Sequence, residues 1–401
     1  MPRRWNPYRL ALLGIVFGLL LLATLYVVGL AWWQASSSPF LEFRRLIGPR
    51  LIDLLMVGWV LWVGSSVGSF LNVVAYRMPL GKSVGGRSYC PRCHVRLAAR
   101  DNFPVFGWLA LGGRCRSCRL PISSRYPTVE AIVGVTLAFV GISELYRLAL
   151  PHDVGGGQWG VVWTPRVDPK TITTALYHII GVSTAWAVGL IAWDKNRLPS
   201  RLVGFALLVV LVPILAWPPL MIVSWRMQTI QELSVDDPLA ETLPTPTRLD
   251  GVMRLITALA AAAMMARTLA RGVCPSADPK LDPLGADTKR LIDLIVVIAI
   301  PAVLVGWQAV LAVIAMAGLI AWWIGNRRWN QTDALGRLAI AVPISLSIQI
   351  AFWRMLSGWS FWPSETADPF VLMAWAVVVL ISPLWLSDRE LPKSEPASDP
   401  S

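Results

Sequence analysis

Charge is scarce in this chain: 15% of its 401 residues are Asp, Glu, Lys or Arg against 55% hydrophobic, and the mean hydropathy is +0.57. That balance excludes an ordinary soluble domain, because no soluble core needs so much apolar sequence. Histidine is rarer still, with 3 copies, and no HExxH pair, Walker loop or clear dinucleotide fingerprint is present. No internal repeat or sustained heptad organises the chain. Acids are outnumbered 24 to 36, for a net charge of +12 and a pI near 10.0. In a soluble protein that excess would suggest nucleic acid. Here the bases cluster in loops beside apolar runs, so topology and anionic lipid account for them, and no nucleic-acid partner is expected. Cysteine is also sparse, and 4 of the 5 copies fall in one stretch.

That stretch runs from Gly68 to Glu130 and holds Cys90-x-x-Cys93 and Cys115-x-x-Cys118, with 21 residues between the pairs. Two such pairs let adjacent sulfurs reach one ion, and four thiolates complete a tetrahedral structural zinc site. The alternatives are two disulfides, which would need an oxidising compartment, and c-type haem attachment at Cys90-Pro-Arg-Cys93-His94, which would leave the second pair idle. Arg92, Arg96, Arg114, Arg116 and Arg119 surround the cysteines and would offset the net charge of a four-thiolate site.

Ten apolar runs are long enough, or nearly so, to cross the hydrocarbon layer as helices. They lie at about Ala11 to Trp33, Leu51 to Ala75, Val129 to Leu148, Ile172 to Trp193, Leu202 to Trp225, Val252 to Leu269, Leu291 to Val305, Val310 to Ile324, Leu338 to Phe352 and Pro369 to Leu386. The first exceeds a signal-peptide core and lacks a convincing cleavage site, so it is taken as a span. The expected fold is an all-α polytopic membrane protein of about ten transmembrane helices, with a small cytoplasmic zinc knuckle between spans 2 and 3. From Arg77 through Arg125 there are ten Lys or Arg and one acid, Asp101, which places that loop in the cytoplasm and both chain termini with it. Arg3, Arg4 and Arg9 agree; Arg44, Arg45 and Arg50 run against the rule. The acidic loop from Gln228 to Asp250 suits the outer side, and the polar tail from Lys393 to Ser401 suits disorder.

Several motifs in the cysteine stretch point to one family. Gly68-Ser-Phe-Leu-Asn72, Arg77-x-Pro79, the two CxxC pairs, Asn102-x-Pro104-Val with Trp108 and Leu111, Pro121-Ile-Ser, and Arg125-Tyr-Pro127-x-x-Glu130 resemble the amino-terminal domain of prepilin peptidases. These are membrane aspartic proteases that process type IV pilin precursors. The resemblance covers about 60 residues and is much thinner elsewhere. It implies a multi-pass protein of the bacterial inner (plasma) membrane that cleaves the basic leader of type IV prepilins, or of the pseudopilins of type II secretion, at the cytoplasmic face. The cysteine domain occurs in bifunctional members, which also methylate the new amino terminus with S-adenosylmethionine. Against the family's eight-span plan, the first and last spans are additions. The implied division is 1–50 extra span and loop, 51–130 amino-terminal domain with the knuckle, 131–353 aspartic peptidase domain, and 354–401 extra span and tail. Oligomeric state is unreadable.

The family's active site is a pair of aspartates at cytoplasmic helix ends, one before a Leu-Pro pair and one in Gly-x-Gly-Asp-x-Lys. Asp287-Thr-Lys289 fits the second motif at the Asp and the Lys, although Leu284 and Ala286 replace its glycines. For the first, Leu198-Pro199 aligns, but Ala192 stands at the expected aspartate. Asp194 lies two residues on, about 200° around a continuing helix. Either the helix ends differently and Asp194 substitutes, or the first carboxylate is missing. The expected catalytic residues are therefore Asp194, Asp287 and Lys289, with Asp293 as a further intramembrane acid. The alternative is a peptidase-inactive homologue that keeps the knuckle and spans as an assembly component. Gly64-Ser65-Ser66-Val67-Gly68 matches a serine-nucleophile elbow only as a string; within an apolar helix such small residues mean close helix packing.

Overall fold

The computed structural model describes residues 7–38, 40–146, 149, 165, 167–221, 247–277, 280, 282–283, 285–327, 332–365 and 367–387. Most of the acidic loop, residues 228–246, lies outside them, as do Arg3, Arg4, Leu284, the side chains of Arg9 and Ala286, and the polar tail. Among the described residues there are no strands, only isolated bridges at Tyr89–Arg96 and Arg114–Pro121.

Among the described residues eight helices are long and apolar enough to cross a membrane: α1 (Leu10–Ser37), α2 (Phe43–Arg77), α3 (Arg125–Leu145), α4 (Pro169–Trp193), α6 (Arg248–Val273), α7 (Ala286–Gly325), α8 (Ala334–Ala351) and α9 (Pro369–Leu386). A shorter apolar helix, α5 (Ser200–Ala216), stands between α4 and α6. The protein is thus a helical, multi-pass membrane protein. Helices α4, α7 and α8 form its centre, whereas α1 is peripheral and keeps an exposed apolar surface.

Two of the expected runs, 291–305 and 310–324, share α7, and that helix does not run straight. Arg290, near its start, pairs with Asp333, the N-cap of α8. Gly325, at its far end, packs against Arg337 in the first turn of the same α8. A straight helix would hold residues 290 and 325 about 50 Å apart, so α7 folds back on itself. The reversal falls at Gly306, whose backbone is non-helical at φ 90° and ψ 165°, a conformation open to glycine and nearly closed to other residues. With the two limbs of α7 counted apart and α5 included, each of the ten runs has its own helical segment among the described residues, although the fifth run extends past the end of α5 at Ala216 and partly outside the described residues.

Small residues set the closest helix contacts. A Cβ on Gly64 would lie 2.9 Å from the Gly134 carbonyl oxygen, and one on Gly68 would lie 2.9 Å from Glu130 Cα. Glycine on both sides is what allows α2 and α3 to approach this closely. The elbow-like string is therefore a packing seam. At one end of the bundle α2 and α3 are joined by the cysteine domain; the starts of α7 and α8 and the ends of α4, α6 and α9 gather at that same end. Tyr8 packs edge-on against Trp108 of the cysteine domain, with ring centroids 5.5 Å apart, so the amino-terminal helix also starts there.

Candidate functional site: a four-cysteine cluster beside a carboxylate-rich helix end

The two CxxC segments adopt the same turn. His94 N–H donates to the Cys90 carbonyl and Cys90 N–H to Val95; Arg119 N–H donates to Cys115 and Cys115 N–H to Leu120. In each, the residue after the second cysteine takes positive φ, 58° at His94 and 60° at Arg119. The repeat is one of backbone conformation, which explains why the sequence does not display it. Paired in this way, the four sulfurs converge: Cys90–Cys118 Sγ are 3.9 Å apart, Cys93–Cys115 Sγ 4.0 Å, and all four lie within 4.8 Å of one another. The thiols are free, and one cluster of four suits a single metal ion, as expected of these residues.

Crowding splits the four thiols. Cys115 is drawn down to about 7, chiefly by the Cys118 backbone N–H and further by that of Ser117. At Cys118 the Leu120 N–H pulls the same way, but burial and the neighbouring sulfurs outweigh it and carry the group up to about 11. Arg116 clamps Asp101 through two hydrogen bonds of 2.8 and 2.5 Å and holds that carboxyl below its usual range.

The cysteine domain meets the aspartates through α3. Arg125, the first residue of that helix, donates from both terminal nitrogens to Asp194, at 2.6 and 2.8 Å. Asp194 occupies this position because α4 stops at Trp193. Lys195 N–H returns to Ala192, Asn196 N–H returns to Ile191, and Lys195 takes φ 59°. This is a Schellman-type stop with a left-handed residue just past the cap. The helix therefore ends differently from the pattern that places an acid at position 192. Asp194 is its C-cap, while Ala192 is buried and its carbonyl lies against Gly336.

Asp287 and Lys289 lie exposed in the first turn of α7. Asp287, Arg290 and Asp333 surround Cys274, whose thiol is pushed up to about 11 by burial first, with the two carboxylates adding and Arg290 opposing. Among the described residues no hydrogen bond or ion pair joins Asp194 to Asp287. The buried acid of this region is Asp293, one and a half turns further into α7. It pairs with Arg197 at 2.8 Å and accepts the Leu198 N–H, so it braces the Leu198-Pro199 loop that follows Asp194. Sequence reasoning noted Asp293 but gave no role to Arg125 or Arg197. Arg125 stood inside the quoted motif, and its pairing was a signal that could have been followed.

Residues 62–143 match the family model for the bacterial peptidase A24 N-terminal domain. The resemblance to prepilin peptidases holds over this stretch. It is similar to a prepilin leader peptidase/N-methyltransferase of Myxococcus xanthus (strain DK1622), 55% identical over 89 residues, 22% of this chain and 25% of that one. It is also similar to the protein of the same name from Burkholderia pseudomallei (strain 1026b), 34% identical over 131 residues, 26% of this chain and 40% of the relative. A type 4 prepilin-like proteins leader peptide-processing enzyme from Escherichia coli O78:H11 (strain H10407 / ETEC) is 42% identical over 96 residues, 19% of this chain and 35% of the relative. The chain thus spans between a quarter and two fifths of these relatives. No solved structure matches it.

Proposed function

We propose that this chain is a prepilin-processing enzyme of the bacterial inner membrane, an aspartic endopeptidase that removes the basic leader of type IV prepilins or pseudopilins at the cytoplasmic face and methylates the new amino terminus. The observation that carries this reading is the Arg125–Asp194 clamp, which ties the family-matched domain to a carboxylate at the same end of the bundle. Asp194 and Asp287 form the acid–base pair. Two carboxylates in one site share a proton; the ionised one takes a proton from the attacking water while the other protonates the peptide group. Lys289 adds a cation beside Asp287. Zinc on Cys90, Cys93, Cys115 and Cys118 fixes the domain through which Arg125 reaches Asp194. Both termini are cytoplasmic, as the ten basic residues from Arg77 through Arg125 favour.

Cleavage of a co-expressed prepilin by wild type, Asp194→Ala and Asp287→Ala, with zinc content measured on each, tests the reading. It stands if wild type cuts and both variants fail while retaining zinc. A second reading, a peptidase-inactive homologue acting in assembly, is favoured by two observations: Ala192 is buried where an acid is expected, and both oxygens of Asp194 are already engaged by Arg125. Failure of wild type to cut any prepilin encoded alongside it would select that one.

A further inference from the structure

Four helix ends meet on one ion pair at the end of the bundle that carries the aspartates. Asp333 is the N-cap of α8, and its two oxygens serve different elements. One accepts the Gly336 N–H at 2.9 Å and closes the first turn of its own helix; the other accepts from Arg290, near the start of α7. The same guanidinium hydrogen-bonds the buried Cys274 thiol, at the C-cap of α6. The residue before Asp333 turns the other way, and its hydroxyl, on Thr332, donates to the carbonyl of Trp193, the last residue of α4.

Backbone packing makes this join tight. A Cβ on Gly336 would stand 2.8 Å from the Ala192 carbonyl oxygen and 3.0 Å from Trp193 Cα, so α8 begins in direct contact with the end of α4. Buried Arg337, one turn on from Asp333, donates to the Leu386 carbonyl at 3.1 Å and fixes the end of α9. The start of α8 is therefore a hub, and α7 joins it through Arg290.

The two carboxylates of the proposed acid–base pair stand on either side of that hub. Asp194 follows directly on Trp193, whose carbonyl Thr332 holds, and Asp287 lies three residues before Arg290, on the same face of α7. No hydrogen bond or ion pair joins the two aspartates among the described residues, so their spacing is set by what fastens α7 to its neighbours. Two ion pairs do so, three residues apart on α7: Arg290 with Asp333, and Asp293 with Arg197. The first is the nearer to Asp287. Its side chains are 26% and 22% exposed, against 81% and 69% for the surface pair of Arg45 with Glu42, so solvent screens it less.

We infer that Arg290 and Asp333 are positioning residues for the proposed peptidase: their ion pair fixes the first turn of α7 against the end of α4 and so sets the spacing of Asp194 and Asp287. The inference rests on the reading of those two aspartates as the acid–base pair. Spacing matters because two carboxylates share a proton only when they are close. Their coupling drives the two apparent pKa values of the pair apart and widens the pH range in which one is ionised and the other is not. A displacement of about 1 Å in a reacting group costs on the order of 10²-fold in rate.

The test is the pH profile for cleavage of a purified prepilin, encoded alongside this chain, by the full-length protein in detergent. Wild type is compared with Asp333→Asn, Arg290→Gln and the double variant. Asn keeps an acceptor for the Gly336 N–H, so the cap of α8 survives, and helical circular dichroism checks each fold. We expect each single variant to narrow the profile from both sides and to lower its maximum about tenfold or more, with the double variant no worse than either. A pure charge effect looks different. Losing the negative charge of Asp333 would move both limbs to lower pH, losing the positive charge of Arg290 would move both to higher pH, and the double variant would return to wild type. That result overturns the inference, as does a lower maximum with unmoved limbs, which is loss of folded protein. Wild-type rate and profile in both single variants overturns it too and leaves the peptidase reading standing. Failure of wild type to cut at any pH overturns the peptidase reading and the inference with it.

Discussion

Replacing Cys115 by Ser should unfold the cysteine domain while leaving the helical bundle in place. Between residues 78 and 124 the buried apolar side chains are Cys90, Cys115 and Pro104, so this segment of nearly fifty residues has little apolar core to hold it. Metal binding must supply the stability, and structural zinc contributes on the order of 10–16 kcal/mol in small domains near neutral pH. The geometry is close to what zinc needs: sulfurs at about 2.3 Å from the ion sit about 3.8 Å apart at tetrahedral angles, against 3.9 and 4.0 Å here. Closing the site therefore takes shifts of a fraction of an ångström. We expect about one zinc per chain in wild type purified under reducing conditions, and less than a tenth of that in Cys115→Ser. Limited proteolysis should then cut the variant between residues 78 and 124 while helical circular dichroism stays nearly unchanged. A metal-free, fully reduced wild type with a protease-resistant domain would refute the reasoning, as would a variant that resists proteolysis as well as wild type.

Three other perturbations follow from named contacts. Gly306→Ala forces a Cβ to 2.7 Å from Arg254 Nη1 at φ 90°, so it should cost at least about 1–3 kcal/mol and lower the thermal midpoint in detergent; an unchanged midpoint would mean that the reversal of α7 is built otherwise. Asp194→Ala and Asp287→Ala should each reduce prepilin cleavage by about 10²-fold or more; Asp293→Asn, which weakens the pairing with Arg197, should reduce it too, and full activity there would make the loop brace irrelevant to catalysis. Asp101 is held low by Arg116, so its contribution is present above the unfolded carboxyl value of about 3.9 and is lost as pH falls through the lower folded value. Arg116 is half exposed, so solvent screens the pair and its contribution is small. A double-mutant cycle on proteolytic protection at pH 7 and near pH 3 should show a smaller coupling at the lower pH.

The sequence carried the helical architecture because hydropathy is a local property: each of the ten runs declares itself without reference to its neighbours. It carried the four cysteines because the CxxC spacing encodes the reach of two sulfurs to one ion. The reversal at Gly306 was legible only as the gap between two runs, since nothing local distinguishes a glycine that kinks a helix from one that turns it back. The carboxylates were harder still. Whether Asp194 continues a helical face or caps its end depends on the left-handed turn at Lys195, and lysine does not advertise that conformation. Pairings such as Arg125 with Asp194 and Arg197 with Asp293 join residues 69 and 96 positions apart, and they are set by how the helices gather.

Those two pairings give the site a mechanical logic. The loop after α4 is held at both ends, Asp194 by an arginine from the cysteine domain's side and Arg197 by an acid from within α7. A bidentate guanidinium fixes a carboxylate's orientation, so Arg125 holds Asp194 in one orientation at the end of α4. In the proposed pair, the exposed Asp287 in the first turn of α7 would then be the more adjustable carboxylate. Loss of zinc would release Arg125 and remove that asymmetry without touching either aspartate. The metal site would in this way set how Asp194 is oriented within the proposed pair.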